Sequence, residues 1–89
     1  MKEIKTMYNK YLQLKEQHKD CEIAIRIGDF YEVFGDDAKT LAEKLDLTLT
    51  ARLINGVENR VYMIGFPYHI AKDYVNKAKS LGVNLLLCD

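Results

Sequence analysis

Two residues of this chain are well placed to act on one ligand together: Phe30 and Glu32, in the run Gly28-Asp29-Phe30-Tyr31-Glu32. The preceding residues 22–27 carry isoleucine at every second position, a pattern typical of a strand. Gly28-Asp29 then predicts a two-residue hairpin turn with the glycine first, so that a second strand begins at Phe30. Residues two apart in a strand point to the same side, so an aromatic ring and a carboxylate can meet a flat, hydrogen-bonding ligand together.

The alternative for this pair is an ordinary strand with one core aromatic residue and one solvated acid. Periodicity alone favours that alternative, because burial is the commoner fate of phenylalanine. Solvent exposure of Phe30 distinguishes the two interpretations. A ring that contacts a ligand must be exposed in the free protein, whereas a core ring is covered by helices.

A second chemistry to consider is metal-dependent catalysis, because carboxylates are dense in the middle of the chain. Asp29, Glu32, Asp36 and Asp37 could serve a Mg²⁺-dependent nuclease if several of them converged. Simpler roles are available, since Asp29 lies in the predicted turn and Asp36 or Asp37 can cap a helix. We therefore assign no metal ligand and rank the nuclease hypothesis last.

Other catalytic motifs are missing from the sequence. The single serine, Ser80, falls at a predicted helix end, and neither histidine lies in a recognisable motif. No glycine-rich phosphate loop occurs, and Cys21 and Cys88 lack the spacing of a metal or redox pair. We expect both cysteines to be small buried residues, and we predict a protein without catalytic residues or cofactor.

The elements that must position Phe30 and Glu32 follow from hydrophobic periodicity and turn signals. Asp36 or Asp37 should cap the second helix, Asn55-Gly56 should connect two strands, and Pro67 should occupy the first turn of the last helix. The order is α-β-β-α-β-β-α-β, an α/β fold with a mixed β-sheet flanked by helices. Helices are predicted at about 4–18, 37–45 and 67–81, and strands at about 22–27, 30–34, 47–53, 60–65 and 83–88.

Length and charge bound the function. Eighty-nine residues make one small domain, and thirteen basic residues balance thirteen acidic ones. A net charge of zero argues against tight independent binding to DNA. No apolar run is long enough for a membrane span and the N-terminus lacks a signal-peptide core, so we expect a cytoplasmic protein that does not contact membranes.

Several blocks of the sequence together resemble one known family. Residues 27–38 resemble the signature of the N-terminal mismatch-recognition domain, domain I, of the MutS DNA mismatch-repair family. Further blocks resemble the family in the same order, at residues 11–15, 45–50, 63–69 and 87–89. The combination of GDFYE, a DDA helix start and a GxPYH segment is far more specific than any one of these motifs.

The resemblance implies a mixed sheet flanked by helices and a role for each site residue. In that family an aromatic wedge enters beside a mispaired or unpaired base and a carboxyl group faces that base. By resemblance Phe30 is the wedge and Glu32 the carboxyl. Contacts to the DNA backbone would then come from Arg52, from Arg26 and from the amides near Tyr68 and His69. The family usually has a Lys-Arg pair where this chain has Ala51-Arg52, so one phosphate contact is expected to be lost.

The resemblance also bears on domain organisation and partners. The family's domain continues with further strands, so residues 1–89 are expected to be a single domain I-like module without them, either a fragment or a stand-alone relative. Our leading hypothesis is a non-enzymatic domain that binds mispaired or distorted duplex DNA, weakly when alone. Its other partners would be the remaining MutS-type domains or another protein. The competing hypothesis is a protein-interaction module that keeps the fold without mismatch binding.

Overall fold

The helices and strands follow the order predicted from the sequence. A computed structural model describes residues 4–89. A single 3₁₀ turn, Tyr68–Ile70, precedes the last helix. In chain order the elements are α1 Ile4–Gln17, β1 Glu22–Ile27, β2 Phe30–Phe34, α2 Gly35–Leu45, β3 Thr50–Arg52, β4 Val61–Pro67, α3 Ala71–Ser80 and β5 Leu85–Cys88. None of the helices in this part of the chain is long and apolar enough to cross a membrane.

The five strands form one mixed sheet in the order β3-β4-β2-β1-β5. Strands β1 and β5 run parallel, and the other neighbouring pairs are antiparallel. The predicted hairpin turn is present, because Ile27 lies opposite Phe30 and only Gly28 and Asp29 connect them. Gly28 has φ 63°, a left-handed conformation that glycine adopts without strain. The turn therefore fixes which side chains of β2 share a face.

Alternation along the strands divides the core into two layers. One face of the sheet packs against α2 and α3, and we call it the α2/α3 face. The other face packs against α1 and the loop around Ile54, and we call it the α1 face. Buried side chains of the first layer include Ala24, Val33, Leu41, Ile64, Phe66 and Ala78. Buried side chains of the second layer include Met7, Tyr11, Ile23, Ile25, Phe34 and Met63.

Among the residues that the structure describes, the α1 face is covered at one end only. Phe34 is buried beneath α1, but Glu32 is half-buried and Phe30 is exposed on the same side of the same strand. Opposite them on β4, Gly65 is also exposed. The sheet thus presents an uncovered area near the hairpin turn, where the sequence predicted a site.

Several predicted boundaries were wrong. Pro67 is not in a helix but ends β4, opposite Phe30. The predicted strand 47–53 is reduced to Thr50–Arg52, and the predicted strand 60–65 extends to Pro67. The last strand begins at Leu85 rather than at residue 83, and its position at the edge of the sheet leaves Cys88 only half-buried. Cys21 is half-buried as well.

The predicted aspartate cap of α2 was also wrong. The helix begins at Gly35 and its N-cap residue is Phe34, whose side chain makes no capping hydrogen bond. Asp37 is instead buried, with 5% of its surface exposed. One carboxylate oxygen, Oδ2, accepts a hydrogen bond from the Ile23 amide at 3.1 Å, and Oδ1 accepts one from Lys15 Nζ at 2.9 Å. Asp37 therefore joins α2 to β1 and to α1.

Removing this carboxylate should destabilise the fold. Asp37→Ala leaves the Ile23 amide and the Lys15 amine without their acceptor, so we expect a loss of about 2–4 kcal/mol of unfolding free energy. Asp36→Ala is the matched control, because Asp36 is exposed in the same helical turn. The control should change the unfolding free energy by less than about 0.5 kcal/mol. Urea unfolding measures both, and equal losses would contradict the role given to Asp37.

Candidate functional site

Phe30 is the exposed aromatic residue of the hairpin. It is the first residue of β2, and 48% of its surface is exposed. Ile27 and Pro67 lie opposite it on the two neighbouring strands, so its backbone is held within the sheet. The ring extends from a rigid interior strand into solvent. The core alternative considered for Phe30 is therefore wrong.

Glu32 lies next to Phe30 on the same face and is half-buried. It occupies the middle of β2, opposite Ile25 on β1 and Gly65 on β4. Burial raises the pKa of the Glu32 carboxyl above its usual range, while the positive charge of Arg52 acts in the opposite direction. The carboxyl group thus has a weakened preference for its charged form.

Arg52 lies on the same face as Glu32, across β4. Arg52 is opposite Val61 and Thr50 is opposite Met63, and both partners belong to the α1 face. An open depression of about 330 Å³ is lined by Phe30, Glu32, Thr48, Thr50, Arg52, Met63, Ile64 and Gly65. We call the group Phe30, Glu32, Thr50, Arg52 and Gly65 the open surface. It combines an aromatic ring, a carboxyl group, a hydroxyl group and a cation.

Tyr68 and His69 are not part of the open surface. The Arg26 guanidinium lies 4.1 Å from the centre of the Tyr68 ring, and Arg26 is opposite Tyr31 on the α2/α3 face. His69 is exposed, with its ring edge-on to that of Tyr68. These residues lie at the same end of the sheet as Phe30 but on its other side.

The Tyr68 amide is not free to bind a phosphate, although the amides near Tyr68 and His69 were expected to contact the DNA backbone. It donates a hydrogen bond to the Asp29 carbonyl at 2.9 Å. Arg26 Nε also donates to the Gly28 carbonyl at 3.0 Å. The Asp29 carbonyl is thereby attached to the segment after β4, and the Gly28 carbonyl is attached to Arg26 of β1, whose guanidinium stacks on the Tyr68 ring. The contribution of Arg26 and Tyr68 that geometry supports is to hold the turn.

The four central carboxylates do not converge. Asp29 lies in the turn, Asp36 is exposed on α2, and Asp37 is buried in its pair with Lys15. Within residues 4–89 no group of three His, Cys, Asp or Glu side chains is arranged to hold a metal ion. This arrangement does not support the nuclease hypothesis.

Sequence reasoning missed two members of the open surface, Thr50 and Gly65. Thr50 donates its hydroxyl hydrogen to the Met63 carbonyl at 3.1 Å, which ties β3 to β4. Gly65 lies in the interior of a strand, where glycine is unfavourable unless something approaches closely. A glycine inside a predicted strand is visible in the sequence. Only the register between β2 and β4 shows that its close neighbour is Glu32.

Comparisons with known proteins agree with this fold. The family model described as MutS domain I matches residues 5–89. The "DNA mismatch repair protein MutS" of Alkaliphilus oremlandii is 42% identical over the whole chain, and that of Clostridium novyi is 45% identical over 93% of it. The protein of the same name from Symbiobacterium thermophilum is also 45% identical over 93% of the chain.

The chain spans only about a tenth of the length of these curated relatives, 10% for the Alkaliphilus protein and 9% for the Clostridium novyi protein. The match to the family model, however, covers nearly all of the chain. By its sequence and its fold, the chain belongs to the MutS domain I family.

Proposed function

We propose that this domain recognises mispaired or distorted duplex DNA without catalysing a reaction, and that Phe30 is the probe. The observation that carries the proposal is a half-exposed phenylalanine beside a half-buried glutamate, on a part of the sheet that no helix within residues 4–89 covers. The relatives named above are DNA mismatch repair proteins. We propose that this chain carries out the recognition step of mismatch repair on DNA in the cytoplasm. It would act in association with the remaining MutS-type domains.

The energetics of such a probe favour damaged or mispaired steps. Stacking a base on an aromatic ring contributes about 1–3 kcal/mol and depends little on base identity. Opening a stacked step costs a few kcal/mol, so at a well-paired step the two effects nearly cancel. At a mismatch the opening cost is smaller, and the balance becomes favourable. Phe30 would thus read deformability rather than sequence.

Glu32 adds discrimination in this scheme. A carboxylate near DNA is repelled by the phosphates, which weakens binding to every duplex. A displaced base can offset that repulsion with a hydrogen bond to the carboxyl group, most readily when the group is protonated. Because burial raises the pKa of Glu32, the protonated form is more accessible than in an exposed glutamate. Arg52, on the same face, supplies a cation for the DNA backbone.

Removing the Phe30 ring should abolish the preference for mismatches. Phe30→Ala is expected to weaken binding to a mismatched duplex by about fivefold to a hundredfold, which corresponds to the stacking energy of one base. Binding to the perfectly paired duplex should change little. Titrations at low salt measure both affinities. NMR chemical shifts are the readout, because a domain with no net charge is expected to bind DNA weakly.

Tyr62→Ala is the matched control for this experiment. Tyr62 is 43% exposed, close to the value for Phe30, but it lies on the other side of the sheet, where Lys39 is near its ring. The control should retain the ratio of mismatched to matched binding. If both duplexes bind equally and Phe30→Ala changes neither affinity, the proposal is wrong and the interaction-module hypothesis gains.

The charge of Glu32 should make DNA binding depend on pH. Glu32→Gln removes the charge at every pH, so at neutral pH this variant should bind a perfectly paired duplex more tightly than the native protein does. The two affinities should converge as the pH falls through the raised pKa of Glu32, because protonation removes the same charge. Both proteins contain His18 and His69, so their difference isolates Glu32. A difference that stays constant over the acidic range would contradict this role.

A further inference from the structure

Gly65 is a glycine that neither the backbone nor the core requires. Its φ is not in the left-handed region, unlike the φ of Gly28, Gly35, Gly56 and Gly82. The residue lies inside β4 and is exposed to solvent, and none of the helices in the described part of the chain packs over it. Glycine in the interior of a strand lowers stability relative to alanine. A specific neighbour must therefore explain its presence.

That neighbour is the carboxyl group of Glu32. Strand pairing sets Glu32 opposite Gly65. A Cβ atom added at residue 65 would lie 2.5 Å from Oε2 of Glu32, 3.2 Å from its Cδ and 3.4 Å from its Oε1. The first distance is far inside van der Waals contact. The glutamate side chain therefore lies across β4 in the space that any other residue at position 65 would fill.

We propose that Gly65 is a positioning residue that holds the Glu32 carboxyl flat against the sheet, beside Phe30. This inference rests on the proposed function, because its value is to keep the acid at the base of the probe. With a side chain at residue 65 the carboxyl would be lifted into solvent and toward the DNA backbone. There it would repel mismatched and matched duplexes alike, and the discrimination assigned to Glu32 would be lost.

The geometry explains why this change would affect the site more than the fold. The atoms closest to the added Cβ are at the end of the Glu32 side chain, which can rotate away. The charged side chain that acts on this carboxyl is Arg52, on β3, and it would remain in place. Gly65→Ala therefore changes the position of the Glu32 carboxyl without changing the charged side chain near it.

The first test uses the free protein, so it does not depend on DNA binding. The pKa of Glu32 is measured by NMR titration of its side-chain carboxyl carbon. In Gly65→Ala it should fall toward the ordinary glutamate value, because the lifted carboxyl gains water. Tyr62→Ala, which changes the other side of β4, should leave it unchanged. An unchanged or higher pKa in Gly65→Ala would overturn the proposal.

The thermal midpoint provides a second test, which remains informative even if Gly65→Ala folds poorly. In a Glu32→Ala background the added methyl group meets no carboxyl, so Gly65→Ala should raise the midpoint by replacing glycine in a strand. In the native background the same substitution should raise it less or lower it. Equal effects in both backgrounds would show that Glu32 and Gly65 are not coupled.

The third test connects this pair of residues with DNA. Gly65→Ala should reduce the ratio of mismatched to matched duplex affinity by about fivefold, the effect of losing one hydrogen bond. In the Glu32→Ala background it should not change that ratio further. If the ratio is insensitive to Phe30 and Glu32 themselves, the proposed function fails, while the titration still decides whether Gly65 positions the carboxyl. If the ratio responds to Glu32 but not to Gly65, this inference fails alone.

Discussion

The buried carboxylate of Asp37 is the contact on which the arrangement of the other elements depends. It accepts hydrogen bonds from the start of β1 and from the last turn of α1, while its own backbone lies in the first turn of α2. A buried charge is costly unless it is paired and hydrogen-bonded, so the three elements must meet here for the fold to be stable. Tyr11 lies nearby, and the pKa of the Tyr11 phenol is raised by burial and by the negative charge of Asp37.

This contact also determines which part of the sheet is covered. Ile23 lies at the end of β1 farthest from the hairpin turn, so α1 is attached at that end. Along β2 the consequence is a gradient on one face, from buried Phe34 through half-buried Glu32 to exposed Phe30. The alternation of side chains along β2 therefore places core residues and the open surface on the same face. The position of α1 determines where the buried part ends and the open surface begins.

Much of this fold could be predicted from local sequence, because its central features are local. The hairpin of 22–27 and 30–34 follows from alternation and from a two-residue turn, and both strands have these bounds in the structure. The errors concern residues whose role depends on distant partners. Asp37 was expected to cap its own helix but pairs with Lys15, and Pro67 was expected to start a helix but continues a strand beside Phe30.

The site was predictable to a similar extent. Alternation placed Phe30 and Glu32 on one side, but it could not distinguish exposure from burial, because that depends on where α1 ends. The relation of Gly65 to Glu32 needs the register between β2 and β4, which no short pattern in the sequence determines. The Tyr68 amide was expected to be available, and its bond to Asp29 requires the hairpin turn to approach the end of β4.

That approach has a consequence for the rates of binding. The Tyr68 amide holds Asp29 and the Arg26 side chain holds Gly28, so the base of Phe30 has little freedom to lose when a ligand binds. Because Phe30 is held rigidly, it cannot adapt its position to a well-paired step, and binding requires the DNA to deform. Encounters with matched and mismatched sites should then occur at similar frequency, and selectivity should reside in how long each complex persists.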